Sequence, residues 1–283
     1  MRVEIEPGVR LFVDVDGASH VPDGAHWREK RTLILVHGGP GFDHTGFKPF
    51  FSRFADQVQV LYLDQRGHGR SDPRPAAEWT LDTLADDLVR LCAVLGIERP
   101  IVLGQSFGGY VVQRYLSRHP AHPRAAVLSS TAPHYNLEGK VAGFARRGGP
   151  EAGAAARAFW EQPSAETWAV YDRLCRHLYN TTDQDATARA SMVFRPEILF
   201  HSAGGEQRGM NLLPGLARVR CPVLVLAGAE DPVTPIDDAE LIHAALPAPW
   251  RQIERFPGVG HGPWRDDPAA TERVLRRWLA ALD

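Results

Sequence analysis

Cysteine is scarce in this sequence: three occur in 283 residues, Cys92, Cys175 and Cys221. They lie far apart, form no C-x-x-C pair and have no histidine at ligand spacing, so neither a disulfide framework nor a zinc site is implied. An odd number of thiols without a secretory signal suits a reducing compartment. A charge excess of one sign is also missing. The formal net charge is -2, which supplies no field to recruit nucleic acid or an anionic membrane. The basic residues are scattered, and the pair Arg146–Arg147 reads as a solvated face. No apolar run approaches the ~18 residues of a membrane span. Met1 to Pro7 alternates with charges and lacks the apolar stretch of a signal peptide. A cytoplasmic protein without membrane or nucleic-acid partners is therefore expected. Internal repeats and low-complexity linkers are absent as well.

What is present reads as an ordinary globular enzyme, 44% hydrophobic and 23% charged, with enough chain to bury a substantial core. Val9 to Asp16 alternates and predicts an edge strand. Short continuous apolar runs at 32–36, 58–63, 101–103, 125–128 and 223–227 suit strands buried on both faces. Helical patterns lie between them. Leu84, Leu88, Leu91 and Leu95 share one helix face, with Thr80 as a cap near its start. Val111, Val112 and Tyr115 continue a helix after Ser106, and Val274, Leu275, Trp278, Leu279 and Leu282 stripe the last one. Alternation of this kind predicts an α/β fold with a mainly parallel sheet covered on both faces. From about 133 to 216 no buried strand is legible. Aromatic-containing helical text there predicts an insertion over the carboxyl ends of the strands. The expected organisation is a first core segment, 1–133, a helical cap, 134–215, and a second core segment, 216–283.

Gly104-Gln105-Ser106-Phe107-Gly108 matches G-x-S-x-G between a predicted strand and a predicted helix. A strand that turns at once into a helix strains its pivot residue. Side chains two positions to either side would collide, which calls for Gly104 and Gly108. Ser106 is then exposed at the tip, with helix N–H groups behind it. A serine hydroxyl needs a base, and the base needs an orienting acid. In chain order after Ser106, Asp231 follows the strand at 223–227 and His261 stands in a glycine-flanked loop before the final helix. Glu230 is the alternative acid, and Asp237 and Asp238 read as caps of the next helix. Acyl transfer also needs two aimed N–H groups for the oxyanion. Phe107, after the nucleophile, and Gly39, in His37-Gly38-Gly39-Pro40-Gly41 after the first buried strand, are the candidates, with His37 pinning that loop. The remaining histidines show no ligand spacing, so no metal and no cofactor are expected.

Taken together, His37 to Gly41, Asp64-Gln65-Arg66-Gly67-His68-Gly69-Arg70-Ser71, the serine turn, Asp231 and His261 resemble the proline iminopeptidase group of α/β-hydrolases. The likeness spans about 30–133 and 216 to the end. It implies an α/β-hydrolase fold and a serine hydrolase that cleaves a small ester, an amide or an N-terminal peptide bond through an acyl-enzyme. The Asp64 motif is expected to order the rim of the site. The resemblance also implies that cap carboxylates hold the free amine of a peptide substrate. Glu161, beside Trp160, together with Glu197 and Glu206 are the cap candidates, although each also fits a solvated helix face. An esterase, a lactonase or a carbon–carbon bond hydrolase of the same fold is the alternative. A non-catalytic ligand receptor built on the fold is the reading from another class.

Overall fold

Five of the ten strands among the described residues come from short runs of branched and aliphatic residues too apolar to face water on either side. The structure, a computed structural model, describes residues 1–183 and 190–282. In chain order the strands are β1 (Arg2–Glu6), β2 (Val9–Asp16), β3 (His20–Asp23), β4 (His26–Glu29), β5 (Thr32–Val36), β6 (Gln59–Asp64), β7 (Ile101–Gln105), β8 (Ala125–Ser129), β9 (Val223–Gly228) and β10 (Arg251–Phe256). Eight of them form one sheet in the order β1-β2-β6-β5-β7-β8-β9-β10, while β3 and β4 make a separate exposed hairpin. The β1–β2 and β2–β6 pairings are antiparallel, and the pairings from β6 to β10 are parallel.

Two expectations change here. The edge strand is β1, and β2 lies between β1 and β6. The other edge, β10, has only Phe256 fully buried among Arg251, Glu254 and Arg255. A strand needing just one apolar anchor leaves no hydrophobic run to read.

Helix α1 (Leu81–Leu95) starts where the Thr80 hydroxyl accepts the Thr83 N–H and ends at Gly96 in the left-handed region. With α2 (Phe107–Arg118) it covers one face of the sheet, and the last long helix (Pro268–Ala280) covers the other with Phe47, Phe51 and Phe54. Between β8 and β9 lie α3 (Leu137–Glu161), α4 (Ala165–Cys175) and α5 (Pro196–Gly204). Gly149, at φ 80° and followed by Pro150, kinks α3. Phe144, Phe159, Trp160 and Tyr171 give these helices an apolar cluster of their own. The segment expected as a cap, 134–215, includes 184–189, which lie outside the described residues. Among the described residues no helix is long and apolar enough to cross a membrane.

Topology places the site. The chain leaves β5 toward β6 on one side and β7 on the other, so loops following these parallel strands diverge at one edge. The 37–41 loop follows β5, Ser106 follows β7, Asp231 follows β9 and His261 follows β10. All four therefore converge at the carboxyl end of the sheet.

Candidate active site

Ser106 occupies φ 54°, ψ −118°, a region an L-residue enters only when its surroundings force it. The forcing groups are identifiable. The Ser106 N–H donates to the Ser129 carbonyl at 3.0 Å, and the Thr131 hydroxyl donates to the Ser106 carbonyl at 2.8 Å. A methyl group on Gly104 would stand 2.4 Å from the Gly108 carbonyl oxygen, and one on Gly108 would stand 2.1 Å from that of Val36. The turn is thus clamped between β5 and β8, with the α2 N-terminus directly behind it.

On the neighbouring loop, Gly39 has φ 57°. The Gln65 N–H donates to His37 Nε2 at 3.2 Å, and the Gln65 amide donates to the His37 carbonyl at 3.0 Å. His37 is a fixed strut of this loop, and burial holds its imidazole below the usual range. Neither the Gly39 nor the Phe107 N–H donates to an acceptor among the described residues, and both residues line the same cavity as Ser106. Gly41 receives the Arg195 N–H at 2.8 Å, which ties this loop to the helical segment.

Asp231 is buried after β9, and its two oxygens have separate work. Oδ1 accepts the N–H groups of Val233 (2.8 Å) and Thr234 (3.0 Å). Oδ2 accepts the Thr234 hydroxyl at 2.8 Å and His261 Nδ1–H at 2.8 Å. The remaining imidazole nitrogen, Nε2, is left as an acceptor, and His261 lines the cavity with Ser106. Asp231, and not Glu230, is the carboxylate on His261. His261 is fixed by its N–H bond to the Tyr179 carbonyl (2.7 Å), and the Tyr179 ring stands edge-on to it at 5.4 Å. A side chain on Gly260 would meet that same carbonyl at 2.3 Å, which explains one flanking glycine.

The Asp64 motif is structural. Asp64 accepts the His44 N–H at 2.9 Å and the Arg70 N–H at 2.8 Å, while Arg66 pairs with Asp87, Glu78 and Glu6. Burial depresses the His68 imidazole from 6.5 to about 3. Below the ordinary value the unfolded chain takes up a proton that the folded chain refuses, so stability falls as the pH drops from 6.5 toward 3. The urea midpoint is expected to fall between pH 7 and about 4.5, with a shallower fall in His68→Gln. An identical pH dependence in that variant would exclude His68 as a contributor.

The cap carboxylates are corrected. Glu161 is exposed and pairs with Arg157, Glu197 is exposed on α5, and Glu206 accepts the Leu81 N–H at the start of α1. None of the three lines the cavity, whereas Trp160 does. Asp238 is not a cap: it is fully buried and accepts from the Asn136 amide at 3.0 Å. Arg147 is not on a solvated face, since it donates to the carbonyls of Asn180 and Glu230 and ties the acid-bearing turn to α3. Thr234 joins the site through its hydroxyl, and its one signal in the sequence is a hydroxyl three residues after a turn aspartate. Lys140 lines the cavity without any local signal in the sequence.

The cavity holds about 340 Å³. Phe42, Phe159, Trp160, Trp168 and Leu199 make its wall largely apolar and aromatic. The Arg176 guanidinium lies 5.0 Å from the ring centres of both Phe42 and Tyr179. Among the described residues no cluster of histidine, cysteine and carboxylate side chains could hold a metal ion.

The model of the α/β-hydrolase fold matches residues 31–264. A proline iminopeptidase of Lactobacillus delbrueckii subsp. bulgaricus is 28% identical, with 90% of this chain and 92% of the relative covered. The crystal structure of a proline iminopeptidase-related protein from Thermus thermophilus superposes with a TM-score of 0.78 at 26% identity, covering 100% of this chain and 97% of the other. An esterase from Exiguobacterium antarcticum shares the fold at a TM-score of 0.75 and 18% identity, covering 99% of each chain. The match spans every strand from β5 to β10 and reaches three residues beyond His261: the chain belongs to the α/β-hydrolase fold family.

Proposed function

We propose that the protein is a serine hydrolase that cleaves an ester or amide of a small substrate through an acyl-enzyme on Ser106. The observation that carries this reading is a strained, half-buried serine at a helix N-terminus that shares one cavity with a histidine bonded to a buried aspartate. Ser106 Oγ attacks the carbonyl, and His261 Nε2 takes its proton and returns it to the leaving group. Asp231 holds the ring in the tautomer that leaves Nε2 free. The Gly39 and Phe107 N–H groups stabilise the oxyanion, each donor of this kind being worth about 3 kcal/mol in related sites. Water activated by His261 then breaks the acyl-enzyme.

The segment 134–215 acts as the cap that selects the substrate. Three free, buried thiols suit a reducing, cytoplasmic setting. The curated relatives favour a second reading, an aminopeptidase. A free ammonium group would need an open carboxylate. Of the two aspartates lining the described cavity, Asp43 is spent on Arg70 and the Val193 N–H, leaving only exposed Asp183. On a panel of p-nitrophenyl esters and prolyl or alanyl anilides, the esters are expected to turn over faster by at least about tenfold in kcat/KM. Preferential cleavage of anilides carrying a free amine would establish the second reading instead.

A further inference from the structure

Lys140, on α3, is 1% exposed and lines the cavity with Ser106 and His261. Its Nζ has no hydrogen-bond partner and no carboxylate within ion-pair distance among the described residues. Neither nearby acid is within ion-pair distance of it. Asp231 serves His261, while Asp238 accepts the Asn136 amide through Oδ1, leaves Oδ2 without a partner and is itself held toward its neutral form by burial. What surrounds the ammonium is aromatic, with Nζ 5.3 Å from the ring centre of Trp160 and 5.6 Å from that of Tyr135. Ring faces offer a cation partial compensation, less than water or a carboxylate would. Burial pushes the Lys140 ammonium below the ordinary lysine range, toward a neutral amine that still lacks a hydrogen-bond partner. Methionine or leucine would fill the same volume without that cost, and a bound carboxylate would relieve it by restoring the charge. Such a group is accounted for when a ligand supplies its missing partner. Of the other cavity-lining cations, Lys48 is paired with Asp14, Arg176 has Asp172 within 3.6 Å, and Arg265 is exposed to water with its guanidinium against the Trp264 ring, so Lys140 is the buried one without a carboxylate among the described residues.

We propose that Lys140 is the anchor for a carboxylate on the substrate, so that the ester or amide cleaved at Ser106 belongs to a compound carrying a free acid at a set distance from the scissile carbonyl. The proposal rests on the serine-hydrolase reading and narrows it. A monoanionic carboxylate fits one ammonium in an apolar wall, whereas a dianionic phosphate would call for more donors. It also tells against amine-bearing substrates, whose ammonium would be driven into the field of Lys140. Hydrolysis of a half-ester is balanced by one water: the acyl C–O bond breaks, the alcohol leaves with a proton, and a dicarboxylate remains.

The test compares monomethyl esters of dicarboxylic acids of four to eight carbons with methyl esters of the matching monocarboxylic acids, for the native chain and Lys140→Met. At the best chain length the native enzyme should favour the acid-bearing ester by at least about tenfold in kcat/KM. In Lys140→Met that ratio should collapse to about one, chiefly through KM. In parallel, the free dicarboxylate should slow labelling of Ser106 by a fluorophosphonate in the native chain and not in the variant. A cooperative melt of Lys140→Met at or above the native temperature checks that the variant is folded. Equal cleavage of both ester series by the native enzyme, a preference that survives Lys140→Met, or labelling of Ser106 with neither ester cleaved and no protection by dicarboxylate would each overturn the carboxylate anchor and leave the Ser106 reading standing. Absence of labelling in folded protein would overturn that reading, and this one with it.

Discussion

Asp231→Asn is expected to lower kcat by about 10⁴-fold with the fold intact, the scale of loss that the same change causes in serine-protease triads. The reason is specific to this turn. Oδ1 of Asp231 accepts two backbone N–H groups, from Val233 and Thr234, and an amide NH₂ cannot replace it there. An asparagine at 231 must therefore keep its carbonyl oxygen toward the backbone and turn its NH₂ toward His261 Nδ1. A donor at that position forces Nδ1 to be the acceptor and puts the ring proton on Nε2, the nitrogen that should receive the Ser106 proton. Turnover fails because the tautomer is wrong, while the two backbone bonds that shape the turn survive. Steady-state kinetics and a thermal melt on the same sample check both halves. Loss of activity with an unchanged melt is the expected pair, and activity within about tenfold of native would contradict the assigned role. Glu230→Gln is the control, because the Glu230 side chain does not reach His261.

Gly108→Ala is expected to cost about 3 kcal/mol or more of stability and to reduce turnover in the protein that still folds. On helix propensity alone alanine would gain about 1 kcal/mol over glycine. Here the added methyl group would lie 2.1 Å from the Val36 carbonyl oxygen and 2.6 Å from that of His37. Both are backbone atoms, one in the central strand β5 and the other at the root of the oxyanion loop, so neither can rotate aside. Relief requires α2 to back away from the sheet, which moves Ser106 relative to the Gly39 N–H. Gly209→Ala, where a methyl group would meet nothing within 4 Å, is expected to stay within about 0.5 kcal/mol of native. Urea unfolding of both variants separates the steric effect from any general effect of replacing glycine.

How much of this was legible in the sequence follows from where the determining forces act. Ser106 was readable because its constraint is local: a strand, one strained residue and a helix need glycines at 104 and 108 whatever the rest of the chain does. Asp231 and His261 were readable because each follows a strand end or precedes the last helix, and parallel topology brings such ends to one edge. β10 is not legible because an edge strand with one buried residue carries no apolar run, and β2 reads as an edge because alternation reports a half-buried strand without saying whether anything lies beyond it. The cap is the least legible part of the chain. Whether Glu161 or Lys140 points into the cavity depends on how α3 kinks at Gly149 and which side of it faces the sheet, and whether Glu206 does depends on how the turn after α5 packs against α1; none of this is encoded near those residues. The acid candidates turned out to serve Arg157 and the α1 N-terminus, and the side chain that does reach the cavity is a lysine.

The central claim is that Ser106 is the nucleophile. Intact-mass and peptide mass spectrometry after treatment with a fluorophosphonate measures it directly. One covalent adduct per chain is expected, on the peptide carrying Ser106, absent in Ser106→Ala and much slower in Asp231→Asn. A well-folded native chain that takes up no label, or that takes it up at another residue while Ser106 stays unmodified, would contradict the claim.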